Sequence, residues 1–136
     1  MFSFVGLNLV KFEYAYSPTL HPYKKIVIGI RGYNYDSEDK FLSIDVGVHL
    51  HGKSKKIPLV FKTHFVLTDP GLIEDFRTEN MKAINSHIKR FMAVAFPYIR
   101  EAIQKITSYT LSEVKLPVID CSQLNLDSEI VLKRRD

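Results

Sequence analysis

The chain has 136 residues, close to the size of one ordinary domain. Its composition, 46% hydrophobic, 12% aromatic and 25% charged, is that of a folded globular protein rather than a disordered segment. A formal charge of +4 is too small an excess to indicate a nucleic-acid-binding domain by itself. The single cysteine, Cys121, excludes an intramolecular disulfide and favours a reducing compartment. We predict a single domain over residues 1–136.

The amino-terminal segment does not have the features of a secretory signal. Met1 to Val10 is apolar, but it has no basic leader and no cleavage site of small residues. The longest unbroken apolar run, Phe91 to Phe96, is far shorter than the ~20 residues needed to cross a bilayer. We therefore expect a cytoplasmic protein with no membrane insertion.

Four β-strands are predicted in the first half of the chain, because aromatic and β-branched residues alternate with polar ones between turn signals. They run from Phe4 to Tyr16, Lys25 to Tyr35, Phe41 to His51 and Ile57 to Leu67. The first strand has apolar residues on both faces, which switch near Leu9. This switch predicts a β-bulge and an edge that could contact another subunit.

The apolar period changes to three and four residues in the second half, which predicts helices from about Glu79 to Ser108. Because proline disfavours a helix interior, Pro97 is predicted to end one helix and open the next. The tail is predicted to be extended from Leu116 to Ile119, and Ser122 is predicted to open a short last helix. The fold class is therefore α+β, a four-stranded antiparallel sheet with helices packed on one face.

Five histidines raise the possibility of a zinc site. His49 and His51 share a strand face, and His64 is the candidate third ligand. A hairpin centred near Lys53 pairs His49 with about Ile57 or Pro58, which leaves His64 roughly 20 Å away along the sheet. We therefore expect no metal site.

Catalytic motifs are missing from the sequence. It contains neither the Gly-x-Ser-x-Gly string of hydrolases nor the Gly-x-x-x-x-Gly-Lys loop that holds phosphates. Cys121 follows Asp120, a neighbour that raises the pKa of a thiol, so a structural cysteine is expected. Glu74 and Asp75 are adjacent and are predicted to compensate a helix dipole rather than act as an acid–base pair. We expect a protein that is not an enzyme and needs no cofactor.

One string in the second half is more specific. Phe96-Pro97-Tyr98-Ile99-Arg100-Glu101 is followed by Val114 to Cys121, which reads Val-Lys-Leu-Pro-Val-Ile-Asp-Cys. Preceded by four strands, this arrangement resembles the SecB-type protein-export chaperone family, in which a Phe-Pro-Tyr-Ala-Arg-Glu helix start leads to a similar Pro-Val segment. The Gly-x-Phe end of that family's fourth strand corresponds here to Thr63-His64-Phe65, without the glycine.

The resemblance implies a SecB-like fold over about residues 3 to 125 and a homotetramer built as a dimer of dimers. It implies a chaperone that holds unfolded or pre-secretory polypeptides without ATP. It also places a polypeptide-binding groove between the sheet's crossover region and the terminal segment. The residues at the corresponding positions are Leu20, Tyr23, Tyr33, Tyr35, Leu116, Val118, Ile119 and Leu124. The alternative for Val118, Ile119 and Leu124 is that they dock the tail onto the sheet.

The chain departs from the resembled family in its charges. Members that deliver clients to the SecA motor have an acidic docking surface and an acidic tail, whereas this chain has Lys55, Lys56 and Lys62 and ends in Lys133 to Asp136. These differences weigh against docking to a SecA-type motor. Two alternatives stay open. One is a dedicated chaperone of a toxin–antitoxin system or other single-partner module, and the other is a nucleic-acid binder using the turn from Lys53 to Lys56 with the interleaved Tyr33, Tyr35 and Phe41.

Overall fold

Alternation of apolar and polar residues along the central strands gives the sheet one buried face. The computed structural model describes residues 2–12, 24–52, 56–109, 114–126 and 128–133. Its strands are β1 (Phe2–Phe12), β2 (Lys25–Asp36), β3 (Phe41–His51), β4 (Lys56–Leu67) and β5 (Glu129–Lys133). They form one antiparallel sheet in the order β1-β4-β3-β2-β5. The helices are α1 (Pro70–Arg77) and α2 (Met81–Thr107).

The four predicted strands are confirmed within the described residues, and so is the bulge in the first of them. The predicted end of the first strand, residues 13–16, lies outside the described residues. The register of β1 against β4 shifts between Phe4 and Gly6 and again between Leu9 and Lys11. Gly6 has a φ of +156°, a backbone conformation that side chains rarely adopt. Each shift changes which residues face the helices, so apolar residues on both faces of the sequence pattern reach the same core.

The prediction that Pro97 separates two helices is wrong. α2 is continuous through Pro97, which lies inside the helix and is exposed. An interior proline removes a backbone hydrogen bond and costs about 3 kcal/mol. The buried residues on both sides of it, among them Phe91, Ala95, Ile99 and Ile103, lie on one stripe against the sheet. Burying that stripe outweighs the local cost, since each large apolar side chain contributes about 1.5–3 kcal/mol.

The prediction of a last helix from Ser122 is also wrong. Cys121–Gln123 forms a single 3₁₀ turn, and Glu129–Lys133 is a strand that pairs with β2 from Lys25 to Gly29. Ile130, Val131 and Leu132 form a short apolar run between Glu129 and Lys133, a pattern that fits a strand or a buried helical turn equally well. The sheet therefore has a fifth strand at the edge next to β2.

The segment before β5 runs back along α2. The Val114 amide donates to the Thr107 hydroxyl at 2.8 Å, at the end of the helix. The Leu126 amide donates to the Asn85 side-chain oxygen at 3.0 Å, near the beginning of the helix. Between these two anchors Leu116 is 6% exposed and Leu124 is fully buried. The segment thus runs along α2 and adds Leu116 and Leu124 to the core before the chain joins the sheet.

Candidate functional site

The short helix α1 is held in place by its start and by contacts to α2, which include ring contacts of Phe76 with His87 and Phe91. The Asp69 carboxylate accepts the Leu72 amide at 2.9 Å, and Pro70 stands at the first helical position, where proline is favourable. The Asp75 carboxylate lies 2.8 Å from Nε2 of His87 on α2. These contacts turn the ring of Phe76, which is 3% exposed, toward the end of β2.

A second bulge, in β2, orients the tyrosines on the other side of the site. The register of β2 against β3 shifts between Ile30 and Gly32. As a result Tyr33 and Tyr35, rather than their even-numbered neighbours, lie on the face that the helices cover. Each of the two tyrosine rings has its centroid 5.8 Å from that of Phe76, a distance typical of aromatic pairs.

These three rings line a pocket of about 380 Å³ between the end of β2 and the end of α1. That volume lies within the rough range of 300–1,000 Å³ found for small-ligand pockets. The remaining lining residues are polar and exposed: Asn34, Ser37, Arg77 and Glu79. The pocket, called here the aromatic pocket, is therefore a half-open cleft with aromatic rings at its base and a mainly polar surface.

The electrostatics of the aromatic pocket keep both tyrosines neutral. Burial and the carboxylate of Glu79 raise the pKa of Tyr33, and burial and Asp36 raise the pKa of Tyr35. Within the described residues the buried Tyr35 hydroxyl has no hydrogen-bond partner. An unsatisfied buried polar group costs about 1–3 kcal/mol of stability. At the rim Arg77 donates to Glu74 at 2.9 Å, within α1.

Glu74 and Asp75 do not compensate a helix dipole as predicted. Both lie past the first turn of α1, which has no acidic residue. They act instead through side-chain contacts, Glu74 with Arg77 and Asp75 with His87.

The structure brings some of the predicted binding residues together and separates others. Tyr33 and Tyr35 share the aromatic pocket. The predicted terminal wall does not line this pocket: Leu116 and Leu124 are buried in the core, Ile119 is half-buried and Val118 is 84% exposed. Leu20 and Tyr23 lie outside the described residues.

Sequence reasoning missed α1 and Phe76. Two signals in the sequence favour the helix: Asp69-Pro70 is a capping residue followed by a proline suited to the first turn, and Leu72 and Phe76 are apolar residues four positions apart. Eight residues are too few for the apolar period to be recognised with certainty.

The structure places His49 and His51 on β3, His64 on β4 and His87 on α2, whereas His21 lies outside the described residues. His49 pairs with Pro58 and His64 with Ser43, so the predicted separation of these histidines along the sheet is confirmed by the register. No cluster of three or more His, Cys, Asp or Glu side chains suited to a metal ion occurs among the residues that the structure describes. Burial and then Asp120 raise the pKa of the Cys121 thiol, as expected from the sequence. None of the described helices is both long and apolar enough to cross a bilayer.

No protein-family model matches the chain, and no curated protein matches it. Among solved structures the chain is similar to the SecB-like chaperone Rv1957 of Mycobacterium tuberculosis, in complex with a ChAD peptide from the Rv1956 HigA1 antitoxin. The sequences are 14% identical, the TM-score is 0.52, and the match covers 87% of this chain and 90% of the other. The fold is therefore SecB-like, as the sequence resemblance implies.

Proposed function

We propose that the chain is a chaperone that binds extended segments of non-native polypeptides without ATP. The observation that carries the proposal is the aromatic pocket, formed by Tyr33, Tyr35 and Phe76 in a SecB-like fold. Aromatic rings with a polar rim accept many apolar side chains without requiring one shape. The similarity of the fold to that of a chaperone solved in complex with a peptide adds support.

Client binding of this kind depends on several weak contacts rather than one tight one. An unfolded segment offers apolar side chains and unpaired backbone groups, and several such segments bound at once give useful affinity through avidity. We propose that the pocket takes the apolar side chains of the client. Leu20, Tyr23, Val118 and Ile119 are proposed to extend the binding surface beyond the pocket. If Leu116 and Leu124 also bind clients, the tail must first move away from α2.

A homotetramer is proposed as the working form, with the whole chain as one domain. Exposed apolar side chains support an interface along β1 and the outer side of α2: Val5 is 59% exposed and Tyr98 is 53% exposed, with Val94 one turn before it. β1 is also an edge strand, whose unpaired backbone groups can pair with another copy. Light scattering should give a mass four times the 15.7 kDa of one chain.

The client range has two candidate forms. A general holding chaperone in the cytoplasm, serving protein export, is the broader one. A chaperone dedicated to an antitoxin is favoured by one specific observation, since the similar structure is bound to an antitoxin peptide. A SecA-type motor is the less favoured partner. The outer face of β4 carries Lys56 and Lys62, whereas docking to that motor uses an acidic surface in the resembled family.

The test of the proposal is suppression of aggregation. A chemically unfolded protein is diluted into buffer with the chain at increasing ratio, and light scattering is followed without any nucleotide. We expect scattering to fall as the chain reaches stoichiometric ratio, and to fall equally with and without added ATP. Scattering that does not change at a large excess of the chain would contradict the proposal.

A further inference from the structure

The face of the sheet that the helices leave uncovered carries four basic residues in one line. In the strand register Lys133 lies opposite Lys25, Lys25 opposite His51, and His51 opposite Lys56. These four residues, called here the basic row, lie on four adjacent strands and point away from the core. Their sequence neighbours Ile26, Leu50 and Ile57 are apolar and point into the core. At the usual strand spacing the row is about 14 Å long.

The described residues do not pair with the charges of the basic row, and Glu129 on the same face lies over Gly29, four residues from Lys25 along β2. Like charges directly opposite each other in a sheet destabilise it. Among the described residues none of these four side chains forms an ion pair with a carboxylate. Burial, Lys25 and Lys56 together lower the pKa of His51. An anionic occupant would relieve this repulsion.

The imidazole of His49 lies next to the basic row and has a buried ring nitrogen. Arg31 crosses the surface over Gly47, where an added Cβ would come within 3.1 Å of its Cδ, and donates from Nη1 to Nε2 of His49 at 3.1 Å. Since Nε2 accepts, the neutral ring carries its proton on Nδ1. That nitrogen is buried and has no partner within the described part of the chain, and His49 is only 8% exposed.

The surroundings of the row favour a polypeptide over a nucleic acid. Two residues further along the strands the same face carries Val131, Val27 and Pro58, beside His49. Binding of single-stranded nucleic acid uses exposed rings on which bases stack. Among the described residues, the phenylalanine on this face is Phe41. It lies ten residues from His51 along β3, about 33 Å away. An occupant with acidic and apolar side chains in parallel rows fits both features.

We propose that the basic row docks an acidic polypeptide segment in extended form, with His49 and Arg31 at its side. Carboxylates at alternate positions of an extended segment are about 6.6–6.8 Å apart, so three of them match the length of the row. The aromatic pocket lies on the opposite, helix-covered face, so this second surface does not depend on the proposed function.

The test compares two variants with the same loss of charge. Lys25→Gln with Lys56→Gln removes two members of the row, and Lys89→Gln with Lys105→Gln removes two lysines of α2. The probe is a fluorescein-labelled peptide that alternates Glu and Val, titrated by anisotropy. The row variant should bind about tenfold more weakly than the wild type, the control variant should bind like the wild type, and salt should weaken wild-type binding.

Three results would overturn the proposal. They are no binding of the acidic peptide, an equal loss of affinity in both variants, and tighter lysine-dependent binding of oligodeoxyadenylate or phosphatidylserine vesicles than of the peptide. Loss of the fold does not complicate the comparison, because removing repelling charges should leave the melting temperature unchanged or raise it. A change in melting temperature is measured by circular dichroism on both variants.

Discussion

Replacing Tyr33 by alanine should separate client binding from stability. Tyr33 is half-buried, its ring packs edge-on against Phe76, and its hydroxyl lies 3.8 Å from the sulfur of Met81. Losing the ring pair costs about 0.5–1.5 kcal/mol beyond the lost apolar burial. That burial is roughly 100 Å² for a half-buried ring, or about 2 kcal/mol, so the free energy of unfolding should fall by about 3 kcal/mol. Since domains are typically stable by about 5–15 kcal/mol, the variant should stay folded. Removing an aromatic anchor from a binding site costs about 2 kcal/mol of affinity, roughly thirtyfold.

The assay is an anisotropy titration of a labelled, permanently unfolded polypeptide. Tyr109→Ala is the matched control, because it removes the same ring from a site that is 84% exposed and lies outside the aromatic pocket. The control should bind like the wild type, and circular dichroism should show both variants folded. If a folded Tyr33→Ala variant binds the client as tightly as the control does, the aromatic pocket is not the binding site.

Three further predictions concern stability. Tyr35→Phe removes a buried hydroxyl without a partner among the described residues and should raise the free energy of unfolding by about 1 kcal/mol; a loss in urea titration would show that the hydroxyl is satisfied. Pro97→Ala should raise the same quantity by about 1–2 kcal/mol, because the helix regains a backbone hydrogen bond, and a destabilised variant would contradict this. The pKa of His51 is lowered in the folded state by burial, Lys25 and Lys56, so the folded chain binds fewer protons than the unfolded one and stability should be lost as the pH falls below the ordinary value of 6.5. Thermal melts between about pH 7.5 and pH 5 test this, and a smaller loss is expected in His51→Gln.

The sheet could be predicted from the sequence because its pattern is local. Alternation along β3, from Leu42 to Leu50, has a period of two residues and identifies the buried face directly. The bulge in β1 was also predictable, since apolar residues change faces near Leu9. In both places the residues that decide the structure lie next to each other in the chain.

The errors occurred where distant packing overrides a local signal. Pro97 is a local helix breaker, but the core contacts of Ile99 and Ile103 continue the helix through it. The segment from Glu129 to Lys133 has no fixed local preference and becomes a strand because β2 offers an unpaired edge.

The two tyrosines of the aromatic pocket could be predicted because the pattern of their strand is local, whereas Phe76 could not. Tyr33 and Tyr35 belong to a recognisable strand, whereas Phe76 reaches them only through a short helix that Asp75 and His87 hold against α2. The bulge before Tyr33 turns both tyrosines toward the helices. Sequence reasoning missed it, although the apolar residues change from even positions up to Ile30 to odd positions from Tyr33, the same signal as in β1.

The most direct measurement of the central claim is a photo-crosslinking map of a bound client. An unfolded polypeptide carrying photoreactive leucine is irradiated with the chain, and the adducts are located by mass spectrometry. If clients bind in the aromatic pocket, we expect adducts on peptides that contain Tyr33, Tyr35 or Phe76, and fewer of them in Tyr33→Ala than in Tyr109→Ala. Adducts confined to the outer face of the sheet, or their absence at concentrations that suppress aggregation, would contradict it.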